Sequence, residues 1–277
     1  MKAALGTTPC ALAIGGLDPG GGAGIAADLR AFAAAGAFGC AAVAVVTVQS
    51  TAGLRSVRAI PAREVAAQAG EVLRHQRVRA VKVGALGSEA NVRAVAKLLA
   101  GYPAVPVVVD TPMLPTRGKA RLLAARALAA LREELLPRAT LVTVNADEAG
   151  ALLSEPVRTV GEAHDAARAL VKMGARAVLV KGGHLGPADG PSAVDVLAIG
   201  GEVVELRAKR LVIAPVHGTG CTLASLIAGR LAAREEGAGA RVDAEGLVAA
   251  IRWAKRVHHA ALARAVDVGG GMRVLVF

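Results

Sequence analysis

Short β-branched runs recur along this chain at 11–15, 41–48, 79–83, 105–109, 140–144, 176–180 and 193–199. Alanine-rich stretches with charges at helical spacing separate most of them, at 24–35, 61–75, 89–100, 119–134 and 160–173. A strand covered on both faces is a continuous apolar run rather than an alternating one, as in VPVVVD, so the sheet is predicted to be mainly parallel. Single helices between such strands make right-handed βαβ units and cover both faces of the sheet. After residue 199 the rhythm changes. Gly200 and Gly201 join VDVLAI to EVVELRA as a hairpin. Helices follow over 219–235 and about 243–266, and the tail GGGMRVLVF fits either a final edge strand or a loosely attached end. No internal repeat or domain-sized linker interrupts residues 1–277, so one α/β domain is expected.

Composition narrows the class further. Hydrophobic residues make up 54% of the chain but aromatics only 2%, so the core must be built from Ala, Val and Leu. The apolar runs fall short of the roughly 18–20 uninterrupted residues that span a bilayer. The N-terminal apolar run lacks a convincing cleavage region and is predicted as the first strand rather than a signal peptide. Three widely spaced cysteines, Cys10, Cys40 and Cys221, form neither a disulfide framework nor a metal cluster. A cytoplasmic protein with no membrane partner is expected. The formal charge of +11 is spread through the helices, with no recognition helix or aromatic stacking platform. No nucleic-acid partner is expected, whereas a small polyanionic substrate would benefit from the field.

In open parallel sheets, ligands bind beyond the carboxyl ends of the strands. Polar or glycine-rich stretches fall there at 15–24, 49–53, 110–118 and 181–184. GGLDPGGGAG lacks the GK[ST] ending of a phosphate-binding Walker loop, and Asp18 in its middle would repel phosphate unless a cation intervened. Asp18 could instead accept from an amine or hydroxyl of a neutral ligand; a turn ending in a helix cap is the plainer alternative. In HGTGC, Gly218 and Gly220 let successive amides converge at a helix N-terminus, which suits charge developing on a transferring phosphoryl group. Cys221 in that field is expected to have a lowered pKa; a small residue packed under the turn is the alternative. Asp147 and Glu148 in NADEAG either cap a helix beside Asn145, or Glu148 joins Asp110 in holding hydrated Mg²⁺. Lys181 at a strand end either meets phosphate or is an exposed turn lysine. His184 is expected in a substrate loop or a structural role, and His258 and His259 on the surface or an interface.

Taken in order, GGLDPGGGAGIAADL, GAFGCAAVAVVTVQST, KVGAL, VVVDTPM, NADEA, KGGH and HGTGCTLAS resemble the hydroxymethylpyrimidine/phosphomethylpyrimidine kinases of thiamin biosynthesis, in the ribokinase-like superfamily. The likeness runs from about residue 10 to 235. It implies a three-layer sandwich, ATP and Mg²⁺ as cofactors, a pyrimidine alcohol and its phosphate as substrates, and a homodimer. It also implies roles at matching positions. Gln49 would hydrogen-bond the pyrimidine, with Gly16 and Asp18 flanking it, Gly84 and Ala85 as another wall, and Pro112 and His184 beside the substrate. Lys181, Asn145, Thr219 and Gly220 would meet ATP, and Asp110 and Glu148 would organise magnesium. Cys221, above the Gly218–Gly220 hole, would face the reacting hydroxyl, either as base or as a neutral positioning thiol.

The chain departs from the family pattern at several points. Thr111, Pro112 and Met113 follow Asp110 where the family commonly has P-V-M. Thr116 replaces a phosphate-side lysine, with Arg117 beside it. Gly20 replaces a loop serine, Val216 replaces a threonine, and the usual C-terminal G-H-G-P stretch is missing. Two other functions therefore compete: a kinase of pyridoxal, another vitamin-like alcohol or a sugar, and a non-catalytic pyrimidine- or nucleotide-binding protein.

Overall fold

The computed structural model describes residues 8–110, 112–113, 122–185, 191–234 and 242–277. Nine strands form one sheet: β1 (Cys10–Leu17), β2 (Phe38–Ser50), β3 (Gly53–Ala59), β4 (Val78–Val83), β5 (Val107–Asp110), β6 (Leu141–Asn145), β7 (Ala177–Lys181), β8 (Ser192–Ile199) and β9 (Glu202–Lys209). Their spatial order is β3-β2-β1-β4-β5-β6-β7-β8-β9. β2, β1, β4, β5, β6 and β7 run parallel, whereas β3 at one edge and β8 and β9 at the other pair antiparallel. The chain builds outward from β1 in one direction and then from β4 in the other. The crevice between β1 and β4 is thus the switch point at which open α/β sheets bind ligands.

The helices are α1 (Gly24–Ala34), α2 (Ala62–His75), α3 (Glu89–Ala100), α4 (Ala127–Ala130), α5 (Ala146–Leu153), α6 (Val160–Lys172), α7 (Thr219–Ala232) and α8 (Ala244–Ala263). Local chemistry sets several starts. Ser88 accepts from the Asn91 amide ahead of α3, and Thr159 and Glu162 form a capping box at α6. The sheet is buried on both faces, as its continuous valine runs require. Leu12, Ile14, Val107 and Val109 pack with α2, α3, α5 and α6, while their neighbours Ala11, Ala13 and Val108 pack with α1, α7 and α8. This is the ribokinase-like three-layer arrangement.

Three expectations are refined. The β3 strand, GLRSVRA, was not anticipated, because an exposed edge strand carries no apolar run. Residues 119–121 of the helix expected over 119–134 lie outside the described residues. The described helical part begins with α4, widens to π geometry at Leu131–Leu135 and tightens to a 3₁₀ turn at Leu136–Arg138. The tail is neither a strand of the main sheet nor loose. β11 (Arg273–Val274) pairs in parallel with β10 (Val216–His217), directly ahead of α7. No helix among the described residues is long and apolar enough to cross a membrane.

Candidate active site

An open cleft of about 890 Å³ lies across the carboxyl ends of the central strands. At its β1 end the glycine loop folds around Asp18, which is 3% exposed. The Asp18 carboxylate accepts from the amides of Gly20 and Ala23, each at 2.9 Å, and lies 2.9 Å from Nε2 of His217. Burial alone would raise its pKa. The His217 hydrogen bond and charge, together with the two amides, outweigh burial and hold it below the usual carboxylate range. Asp18 is therefore a keystone of the loop, with its charge already matched, and lines the cleft beside Gly16. Gly218 has φ +76°, and a Cβ there would sit 2.0 Å from the Gly22 carbonyl oxygen, so the two glycine turns interlock. A Cβ at Gly20 would lie 2.8 Å from Cα of Ser50; this chain's loop leaves no room for the serine usual in the family.

Gln49, near the end of β2, also lines the cleft and places Nε2 3.0 Å from Nε2 of His217. Ala85 and Pro112 line it too. Gly84 does not, contrary to expectation. A Cβ on it would meet Nζ of Lys82 at 2.8 Å, so Gly84 makes room for a lysine. Lys82 is 1% exposed and donates to both oxygens of Asp28 at 3.0 Å, while Ser225 Oγ donates to Asp28 Oδ1 at 2.7 Å. Burial would strip its proton, but Asp28, Cys221 and Asp110 outweigh that and raise its pKa. The sequence reading missed this cation under the cleft.

At the other end, Lys181 at the close of β7 donates to Asp110 Oδ1 at 3.0 Å and lies 3.8 Å from Glu148 Oε2. Thr143 Oγ1 also donates to Asp110, at 3.0 Å. Burial works against the charge on Asp110, but Lys181 and Lys82 outweigh it and lower the pKa. Asn145 and Glu148 form a capping box, each side chain accepting from the other's amide at 2.8 Å. The capping reading of NADEAG thus holds, and Asn145, Asp147 and Glu148 also line the cleft. Burial pushes Glu148 up to about 7, with Lys181 opposing and Asp110 reinforcing the shift. Asp195, also unforeseen, accepts from the Gly182 amide at 2.7 Å and pairs with Lys255, fixing the turn after Lys181.

Thr219, Gly220 and Cys221 open α7 over these charges; a Cβ on Gly220 would lie 3.1 Å from Nζ of Lys181. The lowered pKa expected at Cys221 is overturned. Although the residue as a whole is only half-buried, its thiol is enclosed, and burial pushes the pKa up to about 12. Lys82 and the Gly24 amide pull it down, but Asp110 and Asp28 push it further up, so the helix N-terminus does not prevail. His258, expected at the surface or an interface, is half-buried. It lines the cleft, its Nε2 donates to the Thr219 carbonyl at 3.0 Å, and burial pushes its pKa down to about 4. His259 contacts the Lys209 carbonyl at 2.9 Å. The His184 side chain, Thr116 and Arg117 lie outside the described residues. No cluster of three or more His, Cys, Asp or Glu suited to a metal occurs among the described residues.

The model of the family described as phosphomethylpyrimidine kinase matches residues 18–275. The hydroxymethylpyrimidine/phosphomethylpyrimidine kinase of Escherichia coli is 43% identical over 79% of this chain and 81% of its own length. That of Streptomyces coelicolor is 40% identical over 96% and 93%. Among solved structures, an ADP complex of Bacillus subtilis pyridoxal kinase superposes with a TM-score of 0.84 at 29% identity, covering 97% of both chains. A phosphomethylpyrimidine kinase from Clostridium difficile gives 0.74 at 29%, covering 92% of this chain and 99% of its own.

Proposed function

The chain belongs to the phosphomethylpyrimidine kinase family, and from that premise we propose how its cleft works as an ATP-dependent kinase of thiamin biosynthesis. It phosphorylates 4-amino-5-hydroxymethyl-2-methylpyrimidine and then the monophosphate to the diphosphate. The observation that carries the assignment of parts is one cleft lined by Gln49 at one end, Lys181 at the other and the Gly218–Cys221 turn between them. In this reading the pyrimidine lies against Gln49, Gly16 and Ala85, and the triphosphate lies along Lys181, Asn145 and Thr219.

The hydroxymethyl oxygen attacks the γ-phosphorus, the bond to the bridging oxygen breaks, and ADP leaves. Amides of Gly220 and its neighbours in the first turn of α7 meet the equatorial oxygens, where charge is spread in a loose transition state. Such a transition state needs no strong base beforehand, and the alcohol proton passes late to an oxygen of the transferred phosphoryl group and from there to solvent. A neutral Cys221 thiol serves by holding the hydroxyl in line. Lys181 screens the phosphates while Asp110 and Glu148 keep it in place.

Two carboxylates share this one lysine, and the excess negative charge suits a divalent cation. Asp110 and Glu148 would hold Mg²⁺ there, largely through water, and the ion would neutralise phosphate oxygens. A homodimer belongs to the same reading, with exposed Phe38 and Val48 on β2 as apolar surface available to a second copy.

Incubation with ATP, Mg²⁺ and each pyrimidine tests the function. Stoichiometric ADP and the corresponding phosphate ester are expected from both, and absence of product from either substrate overturns it. The likeness to the pyridoxal kinase fold supports a second reading in which pyridoxal is the acceptor. A higher kcat/KM for pyridoxal than for either pyrimidine would establish that one. Tight binding without ADP formation would mark a non-catalytic relative.

A further inference from the structure

His217 is 3% exposed and is the meeting point of three segments that line the cleft. Its Nε2 lies 2.9 Å from Asp18 Oδ2 and 3.0 Å from Nε2 of Gln49, while Nδ1 is buried with no partner among the described residues. Gly22 lies against the ring, where a Cβ would come within 2.5 Å of Cδ2, so no larger residue fits beside His217.

These contacts constrain the protons. An ionised carboxylate only accepts, and Asp18 already takes two backbone N–H groups. A bare nitrogen lone pair at 2.9 Å from it would be repelled, whereas an N–H makes a charge-assisted hydrogen bond, about twice as strong as a neutral one. Nε2 of His217 therefore carries a proton. The Gln49 amide cannot then direct an N–H at the same atom. Turning its plane over makes Oε1 a second acceptor of the same N–H, shared with Asp18 in a three-centre bond, and leaves Nε2–H₂ to the cleft, at little energetic cost because the two ends have nearly the same shape.

We propose that His217 is a positioning residue that, anchored by Asp18, locks the Gln49 amide with its N–H₂ facing the cleft, so that the site selects a ring with an acceptor nitrogen at that point. The proposal rests on the pyrimidine-kinase reading for the identity of the ring. The link crosses 199 residues from Asp18 to His217 and 168 from Gln49 to His217. His217 also immediately precedes Gly218, so the residue that orients the acceptor pocket is attached to the phosphate turn.

Nitrogen-15 spectra of histidine-labelled full-length protein read the tautomer without any turnover. A protonated Nε2 is expected for His217, assigned by its loss in His217→Gln, and an unprotonated Nε2 overturns the proposal. Kinetics give the second test. His217→Leu should raise the pyrimidine KM at least about tenfold, with a much smaller change in kcat and in the KM for ATP. His217→Gln, which restores an N–H donor of similar reach, should recover most of the loss. In a Gln49→Met background the His217→Leu change should add little, because the amide it orients is gone. An undiminished effect there shows that His217 acts by another route and overturns the proposal. If His217→Leu does not fold, the tautomer and the Gln variant still decide. If the wild-type protein leaves both pyrimidines unphosphorylated, the functional reading fails while the spectra still report on the His217–Asp18 link.

Discussion

Cys221 illustrates how far residue identity alone carries. The turn was legible because Gly218 and Gly220 announce a helix N-terminus, and a helix N-terminus favours a thiolate. The opposing influences were not legible. Burial and the carboxylates of Asp110 and Asp28 come from distant segments and push the thiol to about 12. Lys82 was hidden for the same reason, since its partner Asp28 lies 54 residues away. With that pKa the thiol stays neutral between pH 6 and 9 and adds no ionisation to the kcat profile over that range. A neutral hydrogen-bonding group can be replaced by another. Cys221→Ser should retain activity within about tenfold, the equivalent of one ordinary hydrogen bond. Cys221→Ala, which leaves the hydroxyl unheld, should lose about a hundredfold or more, with ATP affinity little changed. Equal, large losses in both variants, measured as kcat in the pyrimidine assay, would instead require the thiol as proton acceptor.

At the scale of elements, the βα alternation located most strands and helices because each buried run declares itself locally. The β3 strand did not, since an edge exposed to water needs no apolar signal. The N-terminus of α5 was readable as a cap and as a charge site, and the structure makes both demands on Glu148. Its pKa of about 7 lies above the ordinary 4.5, so the folded state holds the proton more tightly than the unfolded chain. The cost of keeping the ionised form buried is absent below about pH 4.5, grows as pH rises, and is fully present above 7. A Gln side chain still completes a capping box. Glu148→Gln should therefore melt about 2–4 °C higher at pH 8.5, equivalent to roughly 1 kcal/mol in a chain of this size. The gain should vanish at pH 4 to 5, and phosphorylation should fall sharply. A lower Tm at pH 8.5, by calorimetry without nucleotide, would show that Lys181 already neutralises Glu148 completely.

For the whole molecule, the sequence pattern specified layers and a mainly parallel sheet but not where the chain ends would go. Long-range pairing of two-residue strands leaves almost no local trace, so the tail could be read as edge or as loose end. It is instead a brace. Val266 and Val274 exchange two backbone hydrogen bonds at 3.0 and 2.9 Å, Val274 pairs with His217, and Thr51 donates to the Gly269 carbonyl. Met272, Val274 and Leu275 are 1%, 6% and 2% exposed. Burying three such side chains contributes roughly 5–9 kcal/mol, partly offset by the cost of ordering the segment at about 1–2 kcal/mol per residue. Because the brace backs His217 and the loop after Gln49, its loss should loosen the acceptor pocket before the nucleotide end, which rests on β5, β6 and β7. Removal of residues 268–277 is thus expected to lower Tm and to raise the pyrimidine KM several-fold more than the KM for ATP. Thermal melts and initial rates on the truncated protein check both. An unchanged Tm with unchanged KM values would mean that the main sheet holds His217 without help, and that the tail is dispensable to the site.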